Sequence, residues 1–113
     1  MKTAIIGSRN LKPDSISEYI PDGTDEIVSG GARGIDSCAA DYAKKSGLKL
    51  TEFQPDYKRY GRGAPLVRNR KIIEYADCVV AIWDGVSRGT KSVIDECRKK
   101  GIDVRVFLLN NEK

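Results

Sequence analysis

The sequence predicts an α/β protein, a doubly wound α/β/α three-layer sandwich with a five-stranded parallel sheet. Three observations carry that expectation. Short apolar runs and amphipathic stretches alternate strictly along the 113 residues, the pattern of strand–helix–strand crossovers, which are parallel and right-handed. Glycine, proline or aspartate marks nearly every junction between them. The run VVAIW at 79–83 is apolar at every position, as a strand covered on both faces must be.

Each element follows in order. Residues 3–6 read as a short buried strand ending at Gly7, and 14–20 as a short helix before the Pro21-Asp22-Gly23 turn. Residues 26–29 form the second strand. Ile35, Cys38, Ala39, Tyr42 and Ala43 recur at three- and four-residue spacing, giving an amphipathic helix that Gly47 stops. The third strand covers 48–53. After Pro55 a polar, glycine-containing loop runs to Gly63, and the spacing then predicts a helix over about 65–76 with Leu66, Ile73 and Ala76 on one face. The fourth strand spans 78–83. The last helix spans 89–100 with Val93, Ile94 and Cys97 inward, Gly101 ends it, and 103–109 make the fifth strand. No linker, repeat or low-complexity stretch divides the chain, so residues 1–113 are expected to form one domain.

Composition removes several function classes. No apolar run reaches the length of a membrane span or a secretory signal, so a soluble cytoplasmic protein with no membrane partner is expected. Cys38, Cys78 and Cys97 lie far apart in apolar surroundings, without CxxC spacing and without a single histidine to complete a metal shell. They are expected as reduced, buried thiols, with no metal and no cofactor. The missing histidine also excludes Ser-His-Asp and Cys-His nucleophile systems, leaving carboxylates, hydroxyls, tyrosine or lysine for any catalysis. The formal net charge is +4. Its distribution says more: Arg9, Arg33, Arg59, Arg62, Arg68, Arg70 and Arg88 fall in or beside predicted loops, where a planar fork of donors suits phosphate or carboxylate.

In doubly wound folds ligands bind at the carboxyl ends of the strands, near the switch in strand order. Here those ends carry Gly7-Ser8-Arg9, then Ser29-Gly30-Gly31-Ala32-Arg33-Gly34, the loop with Tyr60-Gly61-Arg62-Gly63, and Asp84 to Thr90. All the glycine–arginine clusters thus share one edge. Gly30, Gly31 and Gly34 bare the backbone where a helix N-terminus offers unpaired N–H groups, and Arg33 adds a cation. Ser87-Arg88-Gly89-Thr90 repeats the device. Neither turn is GxGxxG or GxxxxGK[ST], so neither a nicotinamide cofactor nor NTP hydrolysis follows.

The remaining polar residues have two readings each. Asp36 either satisfies its helix dipole or contacts a ribose hydroxyl. Asp84 either takes part in chemistry at a strand end or forms an ordinary Asp-Gly turn. Asn69, three residues from Leu66 and four from Ile73, falls on the apolar stripe of its helix; a buried amide needs a partner, either loop backbone or the ligand. Arg68 points toward the same edge. Tyr57, Tyr60 and Trp83 either stack on a base or pack locally. Ser8, Ser29, Ser87 and Thr90 either donate to phosphate oxygens or cap helices, the flanking glycines favouring the first role for Ser87 and Thr90.

The segments AIIGSR, IVSGGARGID, YGRGAPLVRNRKI and VVAIWDGVSRGTKSVID, in order and across nearly the whole chain, resemble the SLOG superfamily, and within it the YspA-type branch. Lonely Guy phosphoribohydrolases and the Rossmann-like domain of DNA-processing protein A are related. The resemblance implies a Rossmann-like sheet, a site between the two glycine-rich turns, nucleotides or nucleotide-derived ligands, and dimers or larger homo-oligomers. It implies no established reaction for this branch. Phosphoribohydrolases carry PGGxGTxxE, and here Val93 stands where that glutamate belongs. Three functions stay open: binding or sensing of a nucleotide-like ligand, nucleotide processing by N-glycosidic or phosphate-bond cleavage, and nucleic-acid binding. Val93, Ile94 and Ile102 are expected to be incompletely covered by so small a sheet, which with the resemblance suggests a homodimer.

Overall fold

The computed structural model describes residues 1–8, 10–11, 15–31 and 34–109. Five strands, β1 (Lys2–Gly7), β2 (Glu26–Ser29), β3 (Lys49–Glu52), β4 (Cys78–Trp83) and β5 (Val104–Leu108), form one sheet in the order β3-β2-β1-β4-β5. Every pairing is parallel. The chain winds outward from β1 to β3, then returns to the other side of β1 for β4, so the switch in strand order lies between β1 and β4. Helices α1 (Ile35–Ser46), α2 (Tyr57–Tyr60), α3 (Ala64–Tyr75) and α4 (Arg88–Lys100) complete the Rossmann-like α/β/α sandwich.

The period-2 alternation of the central strands divides the core. Ala4, Ile6, Val79 and Ala81 face Ile72 and Ile73 of α3 and Val93, Ile94 and Cys97 of α4. Ile5, Val80 and Ile82 face the other way, against Ile35, Ala39 and Ala43 of α1 and against Leu11 and Ile16. Each fully buried valine or isoleucine contributes about 1.5–3 kcal/mol. Val93 and Ile94 are therefore core residues covered by the chain's own sheet, and Ile102 packs half-buried against the same cluster. The expectation that they lie uncovered is corrected. Cys78 and Cys97 are buried free thiols, and burial pushes the Cys97 thiol up to about 11. Cys38 is free but only half-buried.

Three local expectations also change. The helix expected over 14–20 is a single 3-10 turn, Ile16–Tyr19, with Asp14 outside the described residues. Ser15 makes no cap hydrogen bond and pairs its hydroxyl with Ser17 at 2.7 Å, while Ile20, before Pro21, is extended. The stretch expected as a loop after Pro55 contains α2, where Asp56 Oδ1 accepts from the Arg59 N–H at 3.2 Å, and a 3-10 turn at Gly61–Gly63. Leu66 is 50% exposed; the core that covers Ile72 and Ile73 does not reach it, because the first turns of α3 border a cleft at the sheet's edge.

At the opposite edge Glu26, 8% exposed, opens β2. Its carboxylate accepts from Thr51 Oγ1 of β3 at 2.8 Å and from the Tyr75 hydroxyl at the end of α3, with Lys49 Nζ at 3.8 Å. The Tyr75 hydrogen bond lowers its pKa, burial opposes that, and Thr51, Lys49 and Lys2 reinforce the lowering. Among the described residues no helix is long and apolar enough to cross a membrane.

Candidate functional site

At the carboxyl edge, over the switch between β1 and β4, lies a cleft of about 390 Å³. Its floor is the end of β1. Gly7 is required there, since a Cβ would fall 2.5 Å from the Ile82 carbonyl oxygen and 2.6 Å from Ile35 Cγ1. Ser8 follows, buried, its N–H donating to the Ile82 carbonyl at 3.2 Å and its hydroxyl oxygen accepting from the Asp84 N–H at 3.2 Å.

The turn after β2 makes one wall through Gly30 and Asp36. Ser29 is turned inward, its hydroxyl donating to the Asp36 carbonyl at 3.4 Å and accepting from the Gly31 N–H at 3.2 Å. Gly34 caps α1 at φ 71, ψ −123, backbone that an L side chain would strain. From α3, Arg68 reaches across: Nη1 donates to the Gly30 carbonyl at 2.6 Å and Nε to Asn69 Oδ1 at 2.8 Å. Gly30 leaves the room, for a Cβ would stand 2.5 Å from Arg68 Nη1 and 2.9 Å from Asp36 Oδ2.

The far wall is the start of α4, with Ser87, Gly89 and Thr90, and Val93 one turn on. The loop leading into it is clamped. Asp84 Oδ1 accepts from the Val86 and Ser87 N–H groups at 2.9 and 2.8 Å, Oδ2 accepts from the Ser87 hydroxyl at 2.8 Å, and Trp83 Nε1 donates to the Ser87 carbonyl at 3.0 Å. Burial works against ionisation of Asp84, but hydrogen bonds from Val86, Ser87 and Ser8 outweigh it and lower its pKa to about 2.

The N-terminal ends of α1, α3 and α4 all border the cleft, and none receives a side-chain cap from its N-cap residue, Gly34, Gly63 or Ser87. The partial positive charge at these helix starts favours an anion. Arg68 is the one cation among the described residues that line the space.

Of the residues singled out from the sequence, Gly7, Ser8, Gly30, Asp36, Arg68, Asn69, Ser87, Gly89 and Thr90 line this cleft. Ser29, Gly31, Gly34, Asp84 and Arg88 lie behind or beside it: Gly31 packs on Gln54, where a Cβ would fall 2.2 Å from Nε2, and Arg88 is exposed. Arg9 and Arg33 lie outside the described residues. Asn69 is half-buried beside exposed Leu66, so its partner is explained by the cleft and Arg68 rather than by an apolar stripe. Tyr57 is exposed and Tyr60 sits under Arg59 and Lys71 at 5.4 and 5.9 Å. Asn10 and Pro65 also line the cleft; their adjacency to the two glycine clusters was the only signal for them.

Residues 14–60 match the family described as the YspA, cpYpsA-related SLOG family. No curated protein and no solved structure matches the chain. The matched span holds β2, the glycine turn and α1, hence one wall of the cleft, and with the Rossmann-like sheet it is where this chain is similar to the SLOG superfamily.

Proposed function

We propose that the chain binds or senses a small phosphorylated ligand derived from a nucleotide, held in the cleft between the β2–α1 turn and the start of α4. The observation that carries this reading is the convergence of three uncapped helix N-termini, Arg68 and the hydroxyls of Ser8 and Thr90 on one space of about 390 Å³. That volume suits one small molecule, which counts against a nucleic-acid groove. Similarity to the SLOG superfamily over residues 14–60 supports nucleotide-related binding or processing.

A catalytic reading has one observation in its favour. Asp36 is the sole carboxylate among the described residues lining the cleft. Against it, Val93 presents an apolar wall where the phosphoribohydrolase glutamate would stand, and Asp84, with a pKa of about 2 and its oxygens committed to the loop, is a poor proton acceptor at neutral pH. Lacking a positioned acid or base forfeits about 10²- to 10⁴-fold in rate.

Thermal-shift screening of a nucleotide and nucleotide-sugar library tests the proposal. Hits are expected, with stabilisation lost in Arg68→Ala and in Gly89→Asp. The second variant keeps the fold, because nothing lies within 4 Å of a Cβ at Gly89, yet it sets a carboxylate where the anion belongs. Stabilisation that survives both changes would move the site elsewhere. Release of ribose 5-phosphate from AMP at an ordinary enzymic rate would replace binding with catalysis.

A further inference from the structure

We infer that Asn69 grips the phosphate of the ligand through its side-chain amide nitrogen, and that Arg68 is the positioning residue that aims it; this rests on the anion-binding reading of the same cleft. Asn69 sits half-buried in the second turn of α3 and lines the cleft. Its Oδ1 accepts the Nε–H of Arg68 at 2.8 Å, and Arg68 is itself anchored, Nη1 donating to the Gly30 carbonyl at 2.6 Å. A guanidinium donates and never accepts, so the amide cannot turn over without setting two donors against each other. The oxygen is thereby spent on Arg68, and Nδ2, which only donates, is the end of this side chain left for a ligand. Nδ2 has no hydrogen-bond partner among the described residues. No side-chain nitrogen among them is both buried and unpartnered, so Nδ2 stays open to what enters the cleft.

A donor fixed in this way asks for an acceptor. Phosphate oxygens only accept, and a hydrogen bond to an ionised group is about twice as strong as one between neutral groups. The facing wall, Gly89 and Thr90 at the start of α4, favours the same anion. The phosphate is thus held between α3 and α4, with Asn69 on one side of it and the start of α4 on the other. Removing a donor to a charged group costs about 10- to 100-fold in affinity. Lysine at position 68 would keep the charge and lose the Nε–H that fixes the amide, which separates the two things Arg68 does.

Amide chemical-shift titration of the full chain with inorganic phosphate, ribose 5-phosphate and ribose tests this, the side-chain NH2 resonances of Asn69 being identified by their loss in Asn69→Ala. With both phosphates these resonances are expected to move together with the backbone amides of Gly89 and Thr90, while ribose leaves them in place. Backbone shifts without a response from the Asn69 NH2 group, the result of a purely structural role, overturn the inference and leave anion binding standing. An equal response to ribose assigns the amide to the sugar and overturns it as well. Asn69→Ala should weaken ribose 5-phosphate about 10- to 100-fold beside Arg68, but less than about 3-fold in the Arg68→Lys background, where the amide is no longer aimed. Equal losses in the two backgrounds overturn the positioning role of Arg68. Absence of shifts at the cleft amides with either phosphate defeats the anion-binding reading, and the inference with it.

Discussion

At the scale of single residues the cleft depends on a guanidinium held in two directions. Arg68 donates to the Gly30 carbonyl and to Asn69 Oδ1, a geometry the single ammonium of lysine does not reproduce. Gly30→Ala separates this from folding. The new methyl would meet the far ends of two side chains, Arg68 Nη1 at 2.5 Å and Asp36 Oδ2 at 2.9 Å, so Arg68 swings aside and gives up its bond to the Gly30 carbonyl, at a stability cost of about 1.5–3 kcal/mol, the worth of a hydrogen bond from a charged group. Ligand affinity should fall about tenfold or more, and calorimetric titration beside a denaturation curve checks both numbers; unchanged affinity would show that Arg68 does not hold the ligand. Residue chemistry also marks where sequence reading stopped. An aspartate before a glycine at a strand end is written the same way whether it serves a reaction or a turn, and only the contacts of Asp84 show its oxygens taken by Val86 and Ser87. Asn69 was found through a stripe that the exposure of Leu66 dissolves, although its place beside Arg68 and the cleft stands.

At the scale of elements, α3 reaches from the cleft at its start to Glu26 at its end, where Tyr75 and Thr51 tie it to β2 and β3. The pKa of Glu26 is lowered in the fold, first by the Tyr75 hydrogen bond. A depressed pKa contributes stability that is present above the unfolded value, near the usual glutamate 4.5, and is lost as pH falls through the folded value. Denaturation free energies from pH 7 to pH 3 should therefore drop below about 4.5, and the drop should shrink in Tyr75→Phe; an identical acid slope in the variant would show that Tyr75 does not hold the carboxylate. The long elements were legible in advance, since Gly47 and Gly101 end α1 and α4 in left-handed caps and β4 matches its apolar run residue for residue. The short ones were not. A four-residue turn such as α2, set by one Asp56 cap, has too few positions to show a period.

For the whole molecule, the strict alternation of elements was enough to give the parallel sheet, because right-handed crossovers leave few other arrangements. Assembly was harder to read. Val93 and Ile94, once expected at an interface, are buried, and the large apolar side chains that remain exposed include Leu66, Val86 and Leu108. A homodimer, proposed on the superfamily resemblance, would have to form elsewhere, and Leu108, 72% exposed on the edge strand β5, is the position to test. Light scattering should return about twice the 12.5 kDa chain mass, with Leu108→Lys shifting it toward the monomer. A monomer mass for the wild type at millimolar concentration rules the dimer out.

The indole of Trp83 belongs to the only tryptophan in the sequence, and its N–H is spent on the carbonyl of Ser87, a residue of the cleft wall. The protein thus carries a native fluorophore wired to its candidate site. Its emission wavelength and quenching respond to the polarity and hydrogen bonding around that one ring, so occupancy of the cleft becomes an optical signal that needs no label and no competing probe.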